Sequence, residues 1–313
     1  MESFLLYRLP GHDSFVRLGL TASAGDRLMF GDAVVSPWPG HAFDAASPME
    51  VCPRSTDMPD YRSRVGALVD TLRRRDGKAV IARQICGSFS RFEPEAMARE
   101  YFSRFGDMFC FLFYHPSAGY WMGASPELLL HTDNACQGRT LALAGTRRIG
   151  DGAGQWSRKN IEEHRFVVRG IEKSLSGIAG LDIAVGETGN FVYGAIEQLC
   201  TYVGLSAAAG LPVGRIVEAI HPTAAVCGYP RETAMTEIDS VEQWPRNCYG
   251  GLVSVPDGDG VSVYVILRCV HFDSERWAVY SGSGITGESD PADEWAETES
   301  KARPLLDILN SYS

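Results

Sequence analysis

A small set of acidic side chains and lysines stands at spacings that could do chemistry. In DEWAETESKARPLL, Glu294, Glu297, Lys301, Leu305 and Ile308 follow one another at intervals of 3, 4, 4 and 3 residues. At about 100° per residue they form one stripe of a helix. The aliphatic lower half of the stripe belongs against a core. The upper half therefore points two carboxylates and an ammonium in the same inward direction. KNIEEHRFVVRGIEKSL repeats the pattern, with Glu163, Val167 and Ile171 at i, i+4 and i+8 and Glu162 at the edge of the stripe. Two helices that each aim a carboxylate inward offer oxygen ligands to a hard divalent cation. Mg²⁺ suits a site with few carboxylates that also takes an oxygen-rich substrate. The plainer alternative is a pair of acidic helix N-termini favouring the dipole, with an i,i+4 Glu–Lys pair.

Two further residues belong with these. Lys78 opens the apolar run GKAVIARQI, which reads as a buried strand. It is either a solvated strand end or a partly desolvated amine, the kind of group that can act as a base near neutral pH. Glu127 follows Pro126 where the strand of GASPELLLH begins. Partial burial there would keep a carboxyl protonated and able to serve as an acid, although an ordinary loop glutamate fits as well. LALAGTRR and HPTAAVCGYPRE read as loops of small residues whose hydroxyls and backbone donors suit carboxylates or simply tight turns. GSGITG, at 282–287, matches G-x-G-x-x-G after a strand, but too little chain follows for a dinucleotide-binding βαβ unit.

The elements that must position these groups alternate between short strands and single helices. Strands are expected at FLLYRL, FVRLGL, RLMF and AVVSPW, then a Pro-, Ser- and Asp-rich loop over 46–60. A helix is expected from about Tyr61 to Arg75, then the Lys78 strand, then a helix from about Pro94 to Phe105. Strands follow at MFCFLFYH, GYWMGAS, LLLHT and TLALAG. A long helix runs from about Ser157 to Leu175. Short strands fill 248–283, and a helix from about Pro291 to Leu309 closes the chain, with Pro304 expected to kink it. Meanders broken by single helices suggest α+β or mixed α/β rather than a strict βαβ series.

Composition narrows the partners. The 313 residues carry a net charge of −10 and 45% hydrophobic residues, which suits a globular chain with a large core. The only basic block is Arg73–Arg75, so nucleic acid is not an expected partner. No run approaches the roughly 20 apolar residues of a membrane span. The opening residues read as a first strand rather than an export signal, because Arg8 breaks their apolar run. Eight scattered cysteines with no C-x-x-C pair fit free thiols in a reducing cytoplasm.

Taken together, nine strings resemble the chorismate-utilising enzymes, the isochorismate, salicylate, anthranilate and aminodeoxychorismate synthases. They are GKAVIAR, GASPELLL, LAGTRR, EEHRFVV, HPTAAVCGYPRE, CYGGLVS, VILRC, SGSGI and SDPADEWAETESK, in the family's order from about residue 60 to 309. The opening FLLYRLPG resembles the short, menaquinone-type isochorismate synthases. The implied fold is a single large α/β domain, residues 1–313, of the anthranilate synthase component I or aminodeoxychorismate synthase type. Two packed, mostly antiparallel sheets carry helices outside. Residues 1–60 would supply N-terminal strands and a loop, and 61–313 the catalytic core.

The resemblance also assigns roles. Water-adding members have a lysine at the Lys78 position, and ammonia-adding members usually glutamine, so Lys78 favours water as nucleophile and no glutamine amidotransferase partner. Tyr229 in GYPR points the same way. Mg²⁺ on Glu163 and Glu297, with Glu294 nearby, would bind the ring carboxylate of chorismate. Lys78 would take a proton from water attacking C2, and Glu127 would protonate the C4 hydroxyl as it leaves. A lysine base needs a pKa below its usual value of about 10.4. Arg268 and Lys301 would bind carboxylate. Tyr249, the backbones of Gly145, Gly282 and Gly284, and the hydroxyls of Thr146 and Thr223 would line the pocket. Gln198 stands where the family usually has histidine near the substrate, and Asn160 where many relatives carry an acid. The alternatives are a salicylate synthase, which goes on to eliminate pyruvate, and a weakly active or non-catalytic chorismate-binding homologue.

Overall fold

The apolar opening run is a buried strand, and the computed structural model of the chain describes residues 2–150, 155–193 and 196–313. Five short strands come first: β1 (Phe4–Arg8), β2 (Val16–Gly19), β3 (Ala22–Ala24), β4 (Arg27–Phe30) and β5 (Ala33–Ser36). Helix α1 (Met58–Leu72) leads into the long strand β6 (Lys78–Ser88). Helix α2 (Pro94–Phe102) precedes β7 (Phe109–His115), β8 (Gly119–Ser125), β9 (Leu128–Thr132) and β10 (Gln137–Arg148). Helix α3 (Arg158–Leu175) is followed by the paired strands β11 (Asp182–Tyr193) and β12 (Ile196–Ser206). Helices α4 (Val213–Ile220) and α5 (Arg231–Val241) flank the short β13 (Gly228–Tyr229). The chain finishes with β14 (Leu252–Asp257), β15 (Gly260–Val265), β16 (Cys269–Phe272), β17 (Arg276–Ile285) and α6 (Pro291–Leu309).

The strands form two antiparallel sheets. An eight-stranded sheet has the order β13-β6-β17-β16-β8-β7-β1-β2, and a nine-stranded sheet the order β11-β12-β10-β9-β15-β14-β5-β4-β3. Period-2 alternation sorts their side chains. On β7, Phe109, Phe111 and Phe113 face a core shared with β5, β14 and β15 of the other sheet. Cys110 and Leu112 face the opposite way, against α2 and the C-terminal half of α6. A third cluster packs α1, α3, α4 and α5 against strands of both sheets. No helix among the described residues is long and apolar enough to cross a membrane.

Several expectations are corrected. LALAGTRR is not a loop but the end of β10, paired with β12 from Gln137↔Ser206 to Arg148↔Ile196. Its small residues reflect close packing, since Ala142 and Ala144 lie in the core beside α3. Strands β11 and β12 and helices α4 and α5 lie where no elements were expected. Helix α1 starts before Tyr61, because the Asp57 side chain accepts from Asp60 N at 3.3 Å and Pro59 fits the first turn. It also stops at Leu72, short of Arg75, and α2 stops at Phe102, short of Phe105. Pro304 lies inside α6, which continues to Leu309 because buried Leu305, Ile308 and Leu309 anchor its last turns.

Candidate active site

Nine of the expected site residues line one cavity bordered by both sheets; Lys78, Gly145, Thr223, Glu294 and Glu297 are not in its wall. Its walls include Glu127, Thr146, Glu163, Gln198, Tyr249 and Arg268, together with Gly282, Gly284 and Lys301. The cavity itself has a volume of about 70 Å³ and opens toward solvent.

Lys78 lies directly behind this wall. As the first residue of β6 it is paired with Tyr229 on one side, and it is fully enclosed at 0% exposure. Its Nζ is 3.1 Å from Glu163 Oε1. Glu163 reaches that point because Ser157 caps α3, accepting from Asn160 N at 3.1 Å, and because Val167 and Ile171 bury the stripe below it. Burial alone would raise the Glu163 carboxyl, but the charges of Lys78, Lys159 and Lys301 outweigh it and hold it at about 2.

Gly284, in the cavity wall, lets this pair pack directly against it. A Cβ there would collide with Glu163 Oε1 and lie 2.6 Å from Lys78 Cε. Gly282 gives similar room to Tyr249, whose hydroxyl would stand 2.6 Å from an added Cβ. Gly284→Ala is therefore expected to push the Lys78–Glu163 pair apart and cut turnover by about 10²-fold, the scale of a misplaced catalytic group. Steady-state kinetics, with far-UV circular dichroism to verify folding, checks this. Near-wild-type turnover would contradict it.

Glu127 faces the same cavity from the turn between β8 and β9. It is 3% exposed and accepts a hydrogen bond from Thr223 Oγ1 at 2.7 Å. Burial pushes its carboxyl up to about 7, against the pull of the Thr223 hydrogen bond and of the Lys78 and Lys301 charges. It is thus a buried acid that holds its proton near neutral pH. Gln198 donates to Thr146 Oγ1 at 3.1 Å, across the β10–β12 pairing. Arg268 adopts a left-handed backbone at φ 47, which costs a non-glycine residue about 1–2 kcal/mol and is common at functional sites. Gly145 is not among the cavity's wall residues. It has φ 75 at a register shift of β10, and a Cβ there would lie 2.9 Å from the Asn160 carbonyl oxygen, so it lets α3 approach.

Helix α6 brings the other carboxylates. Asp290 caps it through Ala292 N at 2.8 Å, and Pro291 starts it. Trp295 locks its rotation, packed edge-on to Tyr61 at 5.4 Å and under the Arg83 guanidinium at 3.6 Å. Arg83 also donates to Thr298 Oγ1 at 2.6 Å. So fixed, α6 buries Glu294 and places Lys301 2.8 Å from Glu297 and 3.1 Å from the Gly282 carbonyl. Burial pushes Glu294 up to about 7; Lys159 pulls it back while Glu297 adds to the rise.

Sequence reasoning missed Lys159. Its ammonium stands 3.0 Å from Glu294 Oε1, 3.3 Å from Glu163 Oε2 and 3.8 Å from Glu297 Oε2. It also missed the backing residues Val80, Leu143, Ala225 and Tyr280 in the cavity wall. A lysine in a first helical turn carries no sequence sign of burial. Only the packing of α6 across it supplies that.

The carboxylates fit a hard cation in chemistry more than in present geometry. Among the described residues, no group of three or more His, Cys, Asp or Glu side chains is set for direct coordination. Yet Glu163 Oε2 and Glu294 Oε2 are buried without a hydrogen-bond partner. Mg²⁺ commonly takes only one or two protein carboxylates and completes its shell with water and substrate oxygens, so the donor set suits it.

A family model for chorismate-binding enzymes matches residues 41–310, and the chain belongs to that family. Among its relatives is the salicylate biosynthesis isochorismate synthase of Pseudomonas aeruginosa, 28% identical over 262 residues, 80% of this chain and 55% of that one. The isochorismate synthase MenF of Haemophilus influenzae is 28% identical over 209 residues, 64% of this chain and 48% of that one. The chain thus spans about half the length of these curated relatives. Its fold matches the solved structure of MenF, the menaquinone-specific isochorismate synthase of Escherichia coli. The TM-score is 0.79 over 98% of this chain and 88% of that one, at 18% identity.

Proposed function

We propose that this protein is an isochorismate synthase. The observation that carries the reading is a lysine and a buried acid at one cavity. Lys78 is enclosed against Gly284 of the wall, and Glu127 is buried with its carboxyl raised to about 7. The names of the relatives point to the same reaction.

The chemistry needs a base and an acid in different places. Water must lose a proton as its oxygen bonds to C2 of chorismate. The double bonds then shift, and the C4–O bond breaks. Hydroxide is a poor leaving group, so that oxygen must receive a proton as it departs. Lys78, in its neutral amine form, takes the first proton and Glu127 gives the second, so one water enters and one leaves. Arg268 and Lys301, on the cavity wall, bind the substrate's carboxylates as charge-assisted donors. Glu163 and Glu297, with Glu294 beside them, would hold Mg²⁺, which would supply positive charge to neutralise the ring carboxylate. Thr223 orients Glu127 through its hydrogen bond. Thr146 and Gln198 form one wall as a bonded pair.

The whole chain acts as one catalytic domain, since both sheets contribute cavity residues. Its product feeds menaquinone synthesis, a reading supported by the likeness to the menaquinone-specific enzyme of Escherichia coli. The eight free cysteines suit work in the cytoplasm.

The test is product analysis of purified protein with chorismate and Mg²⁺, without ammonia. Isochorismate, lost on adding a chelator, is the expected product. Salicylate with pyruvate would instead make the chain a salicylate synthase, and no turnover would leave only binding. The acid assignment has its own signature. Glu127 acts only while protonated, so kcat/KM is expected to fall as pH rises through about 7. A pH profile without that falling limb would remove Glu127 from the role.

A further inference from the structure

Lys159 holds a position that the proposed reaction leaves unused. It stands in the first turn of α3, yet its side chain turns inward toward Glu294, Glu163 and Glu297. The neighbouring ammoniums are engaged on other oxygens. Lys78 sits on Glu163 Oε1 at 3.1 Å, and Lys301 on Glu297 Oε1 at 2.8 Å. Among the described residues, Lys159 is the one cation shared by all three carboxylates. Glu163 Oε2 and Glu294 Oε2, both buried, accept no hydrogen bond, and the ammonium nearest Glu163 Oε2 is that of Lys159 at 3.3 Å.

Buried carboxylates this close repel one another and resist leaving water. A positive charge among them is therefore needed for the cluster to stay assembled. An ammonium and a hard divalent cation seek the same oxygens, and their like charges exclude joint occupancy at contact distance.

We propose that Lys159 is a built-in counter-ion, which keeps the carboxylate cluster assembled before metal arrives and which a divalent cation must displace in order to bind. The inference rests on the Mg²⁺ reading of this cluster. It makes Lys159 a determinant of metal affinity, acting by competition rather than by coordination. The lysine arm is long and flexible enough to swing its charge aside, while Glu163 and Glu294 stay fixed on packed helices.

The experiment uses the full chain and two readouts without substrate. Mg²⁺ binding is measured by calorimetry, and thermal unfolding is followed in chelator and in saturating Mg²⁺. Lys159→Met removes the charge and keeps most of the length of the arm. It is expected to bind Mg²⁺ about tenfold more tightly than the wild type, equivalent to about 1.4 kcal/mol. It should melt below the wild type in chelator and recover in Mg²⁺. Lys159→Gln guards against misfolding of the first variant and is expected to shift affinity in the same direction. Unchanged or weaker Mg²⁺ binding in both variants would overturn the counter-ion role while leaving the metal site standing. Absence of Mg²⁺ binding in the wild type and both variants would remove the metal reading, and this inference with it.

Discussion

Lys78→Ala is expected to lower kcat for isochorismate formation by roughly 10²–10⁴-fold, the usual contribution of a positioned general base. No other lysine has the same placement. Lys301 is held by Glu297 and the Gly282 carbonyl, and Lys159 by three carboxylates. Lys78 packs behind Gly284 rather than on the wall, so KM for chorismate should change much less than kcat. Glu163 keeps Lys159 as a partner in the variant, which should preserve the fold. Steady-state kinetics with a circular dichroism check reads the effect. Partial rescue by a small primary amine would mark the loss as that of a base rather than of packing. Turnover equal to the wild type would take Lys78 out of the mechanism.

The largest stability loss is expected from Arg246→Ala. Arg246 is 2% exposed and joins three segments beneath the site. It donates to the Val80 carbonyl of β6 at 2.7 Å, to the Val226 carbonyl at 2.8 Å and to Glu242 Oε1 at 2.6 Å. Its guanidinium also lies 4.3 Å from the centroid of the Trp38 ring. Glu242 in turn accepts from Ala82 N at 2.7 Å. Removing the arginine leaves a buried carboxylate without its cation and two carbonyls without donors. The expected cost is about 3–5 kcal/mol, the range found on breaking buried ion pairs. Urea unfolding measures it, and a loss of about 1 kcal/mol or less would show the pair to behave as a surface bridge does. Activity should fall as well, because the same arginine ties β6 to the segment carrying Thr223.

Much of this framework was legible where periodicity and capping agree. Helix α6 matches its expected bounds because its buried stripe runs from Glu294 to Ile308 behind an Asp-Pro start. Helix α3 was equally clear, with Ser157 as its cap. Strand β11 was not. It lies at a sheet edge, and DIAVGETGNFVY mixes glycines with polar residues. TLALAG was legible as a strand, but its continuation over 146–148 was not, because it follows the bulge at Gly145 and ends in two arginines. The site's carboxylates were visible as polar residues heading apolar stripes. Lys159 was not, because its burial depends on α6, more than 130 positions along the chain. The protonated state of Glu127 likewise depends on enclosure by long-range contacts, such as that with Thr223.

The central claim is that water, activated beside Lys78, adds to chorismate. It is tested most directly by running the reaction in oxygen-18 water with Mg²⁺ and without ammonia, then weighing the product. Isochorismate carrying one heavy oxygen at its C2 hydroxyl is the predicted result. Unlabelled isochorismate would mean that the hydroxyl migrates within the substrate, and an aminated product appearing only with ammonia would replace water as the nucleophile. Either would contradict the account.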